Sequence, residues 1–205
     1  MKILRTPDDR FENLPGYPYA PRYTEVPDGE GETLRIHHVD EGPRGAATVL
    51  CMHGQPSWSY LYRHMIAALG DRGLRVVAPD LVGYGRSDKP SRREDYSYQR
   101  QVDWMTAWLV QNDLRDLTLV GQDWGGLTGL RMVAENAERL SRIVIANTGS
   151  RFRRKRSPVI AGNLDGRKLT AEEVAAYDAP FEDPSYKMGC RAMPRQVPTL
   201  PGDPS

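Results

Sequence analysis

The sequence has few of the features that mark secreted or membrane-spanning proteins. Only two cysteines occur in 205 residues, and Cys51 and Cys190 lack the close spacing of a metal site. Cys51 lies within an apolar run, so we interpret it as a buried free thiol in a reducing cytoplasm. No apolar run approaches the roughly 18–20 residues that cross a bilayer. The polar N-terminus has no apolar signal core.

The sequence also lacks an excess of charge of either sign. It contains 28 Lys and Arg against 27 Asp and Glu, which gives a net charge of +1. This balance indicates neither a nucleic-acid partner nor binding to an acidic membrane. The length allows one α/β domain, or one domain with a small appendage. Nothing in the sequence specifies an oligomeric state.

Strand-like and helix-like segments alternate along the first 147 residues. The run TVLCM at 48–52 is continuously apolar, as expected for a central parallel strand buried on both faces. The alternation predicts a mostly parallel sheet flanked by helices. The predicted strands lie near 33–39, 48–52, 74–78, 117–121 and 142–146, and the predicted helices near 60–69, 98–109 and 125–136.

One of these strands ends in a glycine-rich turn that carries a carboxylate. The residues GQDWG at 121–125 fit the small-x-nucleophile-x-small pattern of a nucleophile elbow, with Asp123 where serine is commoner. The turn raises Asp123 above the sheet at a helix N-terminus, whose dipole favours a negative charge. An ionised aspartate attacks carbon to form an alkyl ester. The turn therefore predicts a substrate such as an alkyl halide or an epoxide. The alternative is that Asp123 only caps the helix.

A second turn, HGQP at 53–56, follows the apolar strand. A hydrolase with an elbow needs N–H donors opposite its nucleophile, from the next residue and from an earlier strand-to-helix loop. Trp124 and Gln55 occupy those positions, and their N–H groups could also donate to a departing halide. The base of such an enzyme follows the nucleophile in the chain, so we interpret His53 as a residue that organises its loop.

Four longer segments carry a resemblance to one family. They are HGQPSWSYLYR (53–63), APDLVGYGRSDKP (78–90), LTLVGQDWGGLTGLR (117–131) and YDAPFEDPSYKMG (177–189), and the opening RTPDDRF (5–11) matches as well. Together they resemble the haloalkane dehalogenases of the α/β-hydrolase superfamily.

The resemblance implies an α/β-hydrolase fold and a mechanism in two steps. Asp123 displaces halide from a small apolar halogenated substrate, and a histidine-activated water then hydrolyses the ester. The resemblance assigns halide binding to Trp124 and Gln55 and implies no cofactor or metal. Epoxide hydrolases share the aspartate and an HG-x-P turn, and they are the alternative family.

The family pattern also includes parts that these 205 residues lack. It needs a late histidine base and a second carboxylate, yet all four histidines precede Asp123, and no tryptophan follows Trp124. We therefore expect an incomplete chain, with the N-terminal part of an α/β-hydrolase core at 1–147 and a truncated, partial helical cap at 148–205. The C-terminal strands would be absent. A non-catalytic protein that only binds small apolar molecules is the alternative.

The predicted cap segment at 148–205 has a basic run near its start, RFRRKR at 151–156, which looks foreign to the family. We favour a solvated loop or a junction left by a deletion over nucleic-acid binding or a localisation signal. A short helix is predicted from Thr170, where Glu173 completes a capping box. The proline-punctuated tail is predicted to have little regular structure.

Overall fold

A computed structural model describes residues 1–148 and 169–196 of the chain. The basic run RFRRKR and most of the proline-punctuated tail lie outside the described residues. The strands are β1 (Ile3–Leu4), β2 (Arg22–Pro27), β3 (Thr33–Glu41), β4 (Thr48–Met52), β5 (Arg75–Pro79), β6 (Lys89–Pro90), β7 (Leu117–Gln122) and β8 (Leu140–Ala146).

A six-stranded sheet organises the molecule, in the order β2-β3-β5-β4-β7-β8. The pairs β5–β4, β4–β7 and β7–β8 are parallel, while β2–β3 and β3–β5 are antiparallel. The five predicted strands and the mostly parallel sheet are therefore confirmed. The sequence did not predict β2 or the small antiparallel pair of β1 with β6.

Helices connect and cover these strands. Side chains cap two of them: the Ser97 hydroxyl accepts from the Arg100 N–H, which the sequence analysis did not predict, and Thr170 forms the predicted capping box with Glu173. The α-helices are α1 (Arg63–Gly70), α2 (Tyr98–Gln111), α3 (Trp124–Ala134), α4 (Ala171–Asp178) and α5 (Met188–Ala192). Short 3₁₀ segments lie at Asp8–Phe11, Ser59–Tyr62, Arg93–Asp95, Ala137–Arg139, Pro184–Lys187 and Met193–Gln196.

The central strand β4 is buried on both faces, as its apolar run predicts. Leu50 and Met52 belong to one hydrophobic cluster, and Val49 and Cys51 belong to another. Side chains alternate across a strand, so the two clusters lie on opposite faces of the sheet. Cys51 is a free, buried thiol, and burial raises its pKa to about 12.

Residues 169–196 pack directly against the sheet-containing part. The Thr6 hydroxyl donates to the Pro180 carbonyl at 2.7 Å, and the Trp58 indole donates to the Ala176 carbonyl at 3.2 Å. The division into a core and a partial cap at residue 147 stays a prediction. Within the described ranges, no helix is both long and apolar enough to cross a membrane.

Candidate active site

Asp123 lies at the turn where β7 passes into α3, as predicted. Its backbone adopts φ 51° and ψ −123°, a conformation that is uncommon for residues with a side chain. The carboxylate does not cap α3, because it accepts no hydrogen bond from the N–H groups of that helix. Instead, Oδ1 of Asp123 accepts from the backbone N–H of Gln55 at 2.8 Å. This contact disagrees with a role limited to helix capping.

Two glycines allow the turn to approach the loop after β4. A Cβ atom on Gly125 would collide with the Met52 and His53 carbonyl groups. A Cβ atom on Gly54 would collide with the Asp123 side chain. Gly54 of the HGQP turn and Gly125 of the elbow are thus both needed for the close contact between the two turns.

Gln55 is held at both its backbone and its side chain. Its backbone N–H points at Asp123, while its side-chain Nε2 donates to the Cys190 carbonyl at 3.1 Å. The Tyr84 hydroxyl donates to Gln55 Oε1 at 3.0 Å. The structure therefore brings Gln55 to Asp123 and also connects it to α5.

Trp124 is the first residue of α3 and is buried. Its ring lies 6.1 Å from that of Tyr98, measured between centroids. Its indole N–H has no hydrogen-bond partner among the residues that the structure describes. The three predicted site residues are thus neighbours, Trp124 through the chain and Gln55 through space.

His53 organises its own loop, as predicted. Its Nε2 accepts from the Leu81 N–H at 2.9 Å, which leaves Nδ1 to donate to the Gly54 carbonyl at 2.8 Å. Burial lowers the pKa of His53. The ring is therefore neutral near pH 7, and neither nitrogen is free to take a proton from water.

The other histidines are placed away from the carboxylate of Asp123. His37 is paired with Asp80 at 2.7 Å, His38 accepts from the Trp108 indole at 3.3 Å, and His64 is exposed on α1. Across residues 1–148 and 169–196, no histidine side chain is hydrogen-bonded to Asp123.

Asp80 is a buried carboxylate for which sequence reasoning proposed no role. It follows β5 and accepts from His37, from the Ser59 N–H at 2.7 Å and from the Arg86 N–H at 2.8 Å. Burial by itself would raise its pKa, but the interactions with His37 and with the Ser59 N–H bring the pKa of Asp80 well below its usual range. The sequence signal that could have drawn attention to Asp80 was its position directly after a predicted parallel strand. Loops at the carboxyl ends of parallel strands commonly carry functional residues.

The described residues contain no group of three His, Cys, Asp or Glu side chains that could hold a metal ion. The site consists of a carboxylate on a strained turn, the Gln55 backbone N–H on that carboxylate, the buried Trp124 next to it in the chain, and the hydrogen-bonded residues His53 and Asp80 in the adjoining loops. Such an arrangement can present a nucleophile and stabilise a negative charge.

The comparison with known proteins first defines the class of the chain. A family described as alpha/beta hydrolase fold matches residues 47–182. This match agrees with the mostly parallel sheet and with the strand–elbow–helix geometry around Asp123. The protein therefore has the α/β-hydrolase fold.

Individual relatives define the family within that class. The whole chain aligns with a haloalkane dehalogenase of Psychrobacter cryohalolentis at 50% identity, covering 74% of that protein. It aligns with haloalkane dehalogenase 1 of Mycobacterium tuberculosis at 49% identity, covering 75% of that protein. The chain belongs to the haloalkane dehalogenases, a family of hydrolytic enzymes, which confirms the resemblance of the four motifs.

Solved structures support the same assignment. The tetrameric haloalkane dehalogenase DpaA from Paraglaciecola agarilytica NO2 has 34% identity and a TM-score of 0.83, over 97% of this chain and 73% of that one. Epoxide hydrolase VrEH1 from Vigna radiata has 31% identity and a TM-score of 0.55, over 62% of this chain and 38% of that one. The likeness to the dehalogenase extends over more of both chains.

Proposed function

We propose that this protein attacks haloalkanes with Asp123 and releases halide, with Trp124 as the halide-side donor. The Gln55 N–H, which the sequence prediction also assigned to halide, then serves as the donor to the Asp123 carboxylate. The observation that carries the proposal is the placement of the Asp123 carboxylate. It lies on a strained strand-to-helix turn, it does not cap the helix, and it meets the Gln55 N–H at 2.8 Å. Membership of the haloalkane dehalogenases supports the choice of substrate class.

The first step forms an ester on the enzyme. A carboxylate oxygen of Asp123 attacks the halogen-bearing carbon, and the carbon–halogen bond breaks so that halide leaves with its electron pair. The indole N–H of Trp124 is the donor best placed to stabilise that charge, because the described residues offer it no other partner. The α3 dipole favours the attacking anion in the ground state.

The second step returns the carboxylate. Water attacks the ester carbonyl, the alcohol leaves, and a base must accept a proton from the water. Neither nitrogen of His53 is free for this role, and none of the other three histidines is hydrogen-bonded to Asp123. We therefore expect the ester to accumulate on the 205-residue chain.

The test is incubation of the purified 205-residue chain with 1-bromohexane, following bromide release and intact mass together. The expected result is at most one bromide per chain and a hexyl adduct that peptide mapping places on Asp123. General-base catalysis contributes a factor of about 10²–10⁴, so hydrolysis should be slower by at least that much than with a base in place.

Two variants control this experiment. Asp123→Ala should give neither bromide nor adduct. Asp116→Ala should behave as the unmodified chain, because Asp116 shares the positive φ but is exposed at the opposite end of β7. Sustained release of many bromides per chain would show that another group supplies the base.

1,2-Epoxyhexane tests the alternative family. Faster esterification of Asp123 by the epoxide than by the bromide would favour an epoxide hydrolase. Binding of 1-bromohexane by a folded chain, without any adduct, would indicate a protein that only binds small apolar molecules.

A further inference from the structure

Both polar ends of the Gln55 side chain are hydrogen-bonded, and these bonds join two parts of the chain. Gln55 Nε2 donates to the backbone carbonyl of Cys190 on α5, and the Tyr84 hydroxyl donates to Gln55 Oε1. Tyr84 itself is buried, with 1% of its surface exposed. We call Gln55, Tyr84 and Cys190 the glutamine clamp.

The chemistry of these groups allows only one orientation of the carboxamide. A backbone carbonyl cannot donate, so the atom of Gln55 that faces the Cys190 carbonyl must be the NH₂ nitrogen. The oxygen of the carboxamide then faces Tyr84, whose hydroxyl must act as the donor. Tyr84 and the Cys190 carbonyl together fix which way Gln55 is turned.

The same residue delivers the N–H that contacts the nucleophile. The backbone N–H of Gln55 lies 2.8 Å from Oδ1 of Asp123, and Gly54 leaves no room between this loop and Asp123. A rotation of the Gln55 side chain that pulls on its backbone therefore moves the donor relative to the carboxylate.

We propose that Tyr84 is a positioning residue, which acts through the glutamine clamp to hold the Gln55 N–H on the nucleophile. This inference rests on the proposed function for its effect on rate, although the clamp itself can be tested without any substrate. It also predicts that an ionised glutamate at position 55 would weaken the clamp. A glutamate would set a carboxylate oxygen against the Cys190 carbonyl unless it carried a proton.

The first measurement is the rate constant for esterification of Asp123 by 1-bromohexane in Tyr84→Phe. We expect a fall of about tenfold, the effect of one lost buried hydrogen bond. The matched control is Tyr96→Phe, since the Tyr96 hydroxyl donates to the Pro90 carbonyl and is not part of the clamp. That control should stay within about twofold of the unmodified chain.

The second measurement is a pH profile of Gln55→Glu. At each pH the rate is divided by that of the unmodified chain, because both chains need an ionised Asp123 to react. This ratio should be highest where the introduced carboxyl group is protonated and can donate to the Cys190 carbonyl, and should fall above its titration. The unmodified chain has no titrating group at position 55, so its profile should lack this step. A residue with a purely structural role would not produce such a step.

The third measurement is hydrogen exchange, which needs no reaction. Tyr84→Phe should speed exchange in peptides covering residues 53–56 and 188–192, but not in the β2–β3 hairpin. This local effect in a chain that forms no adduct would uphold the clamp and reject the proposed function. Unchanged exchange and an unchanged rate in Tyr84→Phe, or a pH profile of Gln55→Glu without a step, would overturn the inference.

Discussion

At the scale of single residues, the contact between Gly54 and Asp123 leaves no space for even one methyl group. Gly54→Ala would push its Cβ against the carboxylate side chain, so either the loop or the elbow must shift. A displacement of about 1 Å can cost about 10²-fold in rate, and we expect esterification of Asp123 to fall by that order. Intact mass after incubation with 1-bromohexane measures the loss.

Gly45→Ala is the matched control for this change. Nothing lies within 4 Å of a Cβ built at Gly45, and its φ is not positive. It should react at the unmodified rate. If Gly54→Ala reacted equally fast, the close approach of the two turns would have no importance for the chemistry.

At the scale of elements, a buried ion pair joins α1 to α4. Arg63 Nη2 lies 2.7 Å from Glu173 Oε1, and both side chains are nearly inaccessible to solvent. Glu173→Gln could retain the capping interaction but would leave the Arg63 charge without its carboxylate. Breaking a buried pair on one side costs about 3–5 kcal/mol. Urea unfolding should show a loss of that order, whereas the exposed neighbour Glu172→Gln should change stability by less than about 0.5 kcal/mol.

The edge strand β8 presents apolar side chains to solvent on both faces. Ile143, Val144 and Ile145 are 49%, 52% and 38% exposed, and among the described strands only β7 pairs with β8. An exposed apolar edge promotes association, and a lysine there opposes it. Val144→Lys should therefore lower light scattering at matched protein concentration.

Val174→Lys is the control for that substitution. Val174 is 48% exposed but lies on α4, so it adds the same charge without altering a strand edge. An equal decrease in scattering for both variants would show that net charge, and not the edge, governs association.

At the scale of the whole molecule, His38 makes folding depend on pH. Burial lowers the pKa of His38 from an ordinary value of 6.5 to about 4. Between pH 4 and pH 6.5, the unfolded chain therefore binds a proton at His38 that the folded chain does not bind. Stability from this source is fully present above pH 6.5, falls as the pH decreases towards 4, and is constant below that.

The expected contribution of His38 is a loss of about 2 kcal/mol between pH 7.5 and pH 5, measured by urea unfolding as the difference between the unmodified chain and His38→Gln. The amide oxygen of the glutamine can accept from the Trp108 indole without titrating, whereas His53, whose pKa burial also lowers, titrates in both chains. His64→Gln, at an exposed position, should retain the pH dependence of the unmodified chain. A pH dependence that is unchanged in His38→Gln would assign the effect to other groups.

Much of the framework could be predicted because local patterns encode it. The continuous apolar run of β4 predicted a strand buried on both faces, and the Thr170–Glu173 spacing predicted the capping box of α4. The hairpin strand β2 was not predicted, because its burial pattern does not alternate regularly and its pairing with β3 comes from tertiary contact.

The sequence by itself determined which residues belong to the candidate site: Asp123 follows from its glycine turn, Trp124 from its place after Asp123, and Gln55 from its place in the turn after β4. Only the tertiary structure decided that the Gln55 N–H meets the carboxylate, that His53 has no free nitrogen, and that Tyr84 and the Cys190 carbonyl hold the Gln55 side chain. Spacing records which groups are near one another along the chain. Contacts between residues as far apart as 55 and 190 depend on how whole elements pack, and no local pattern contains that information.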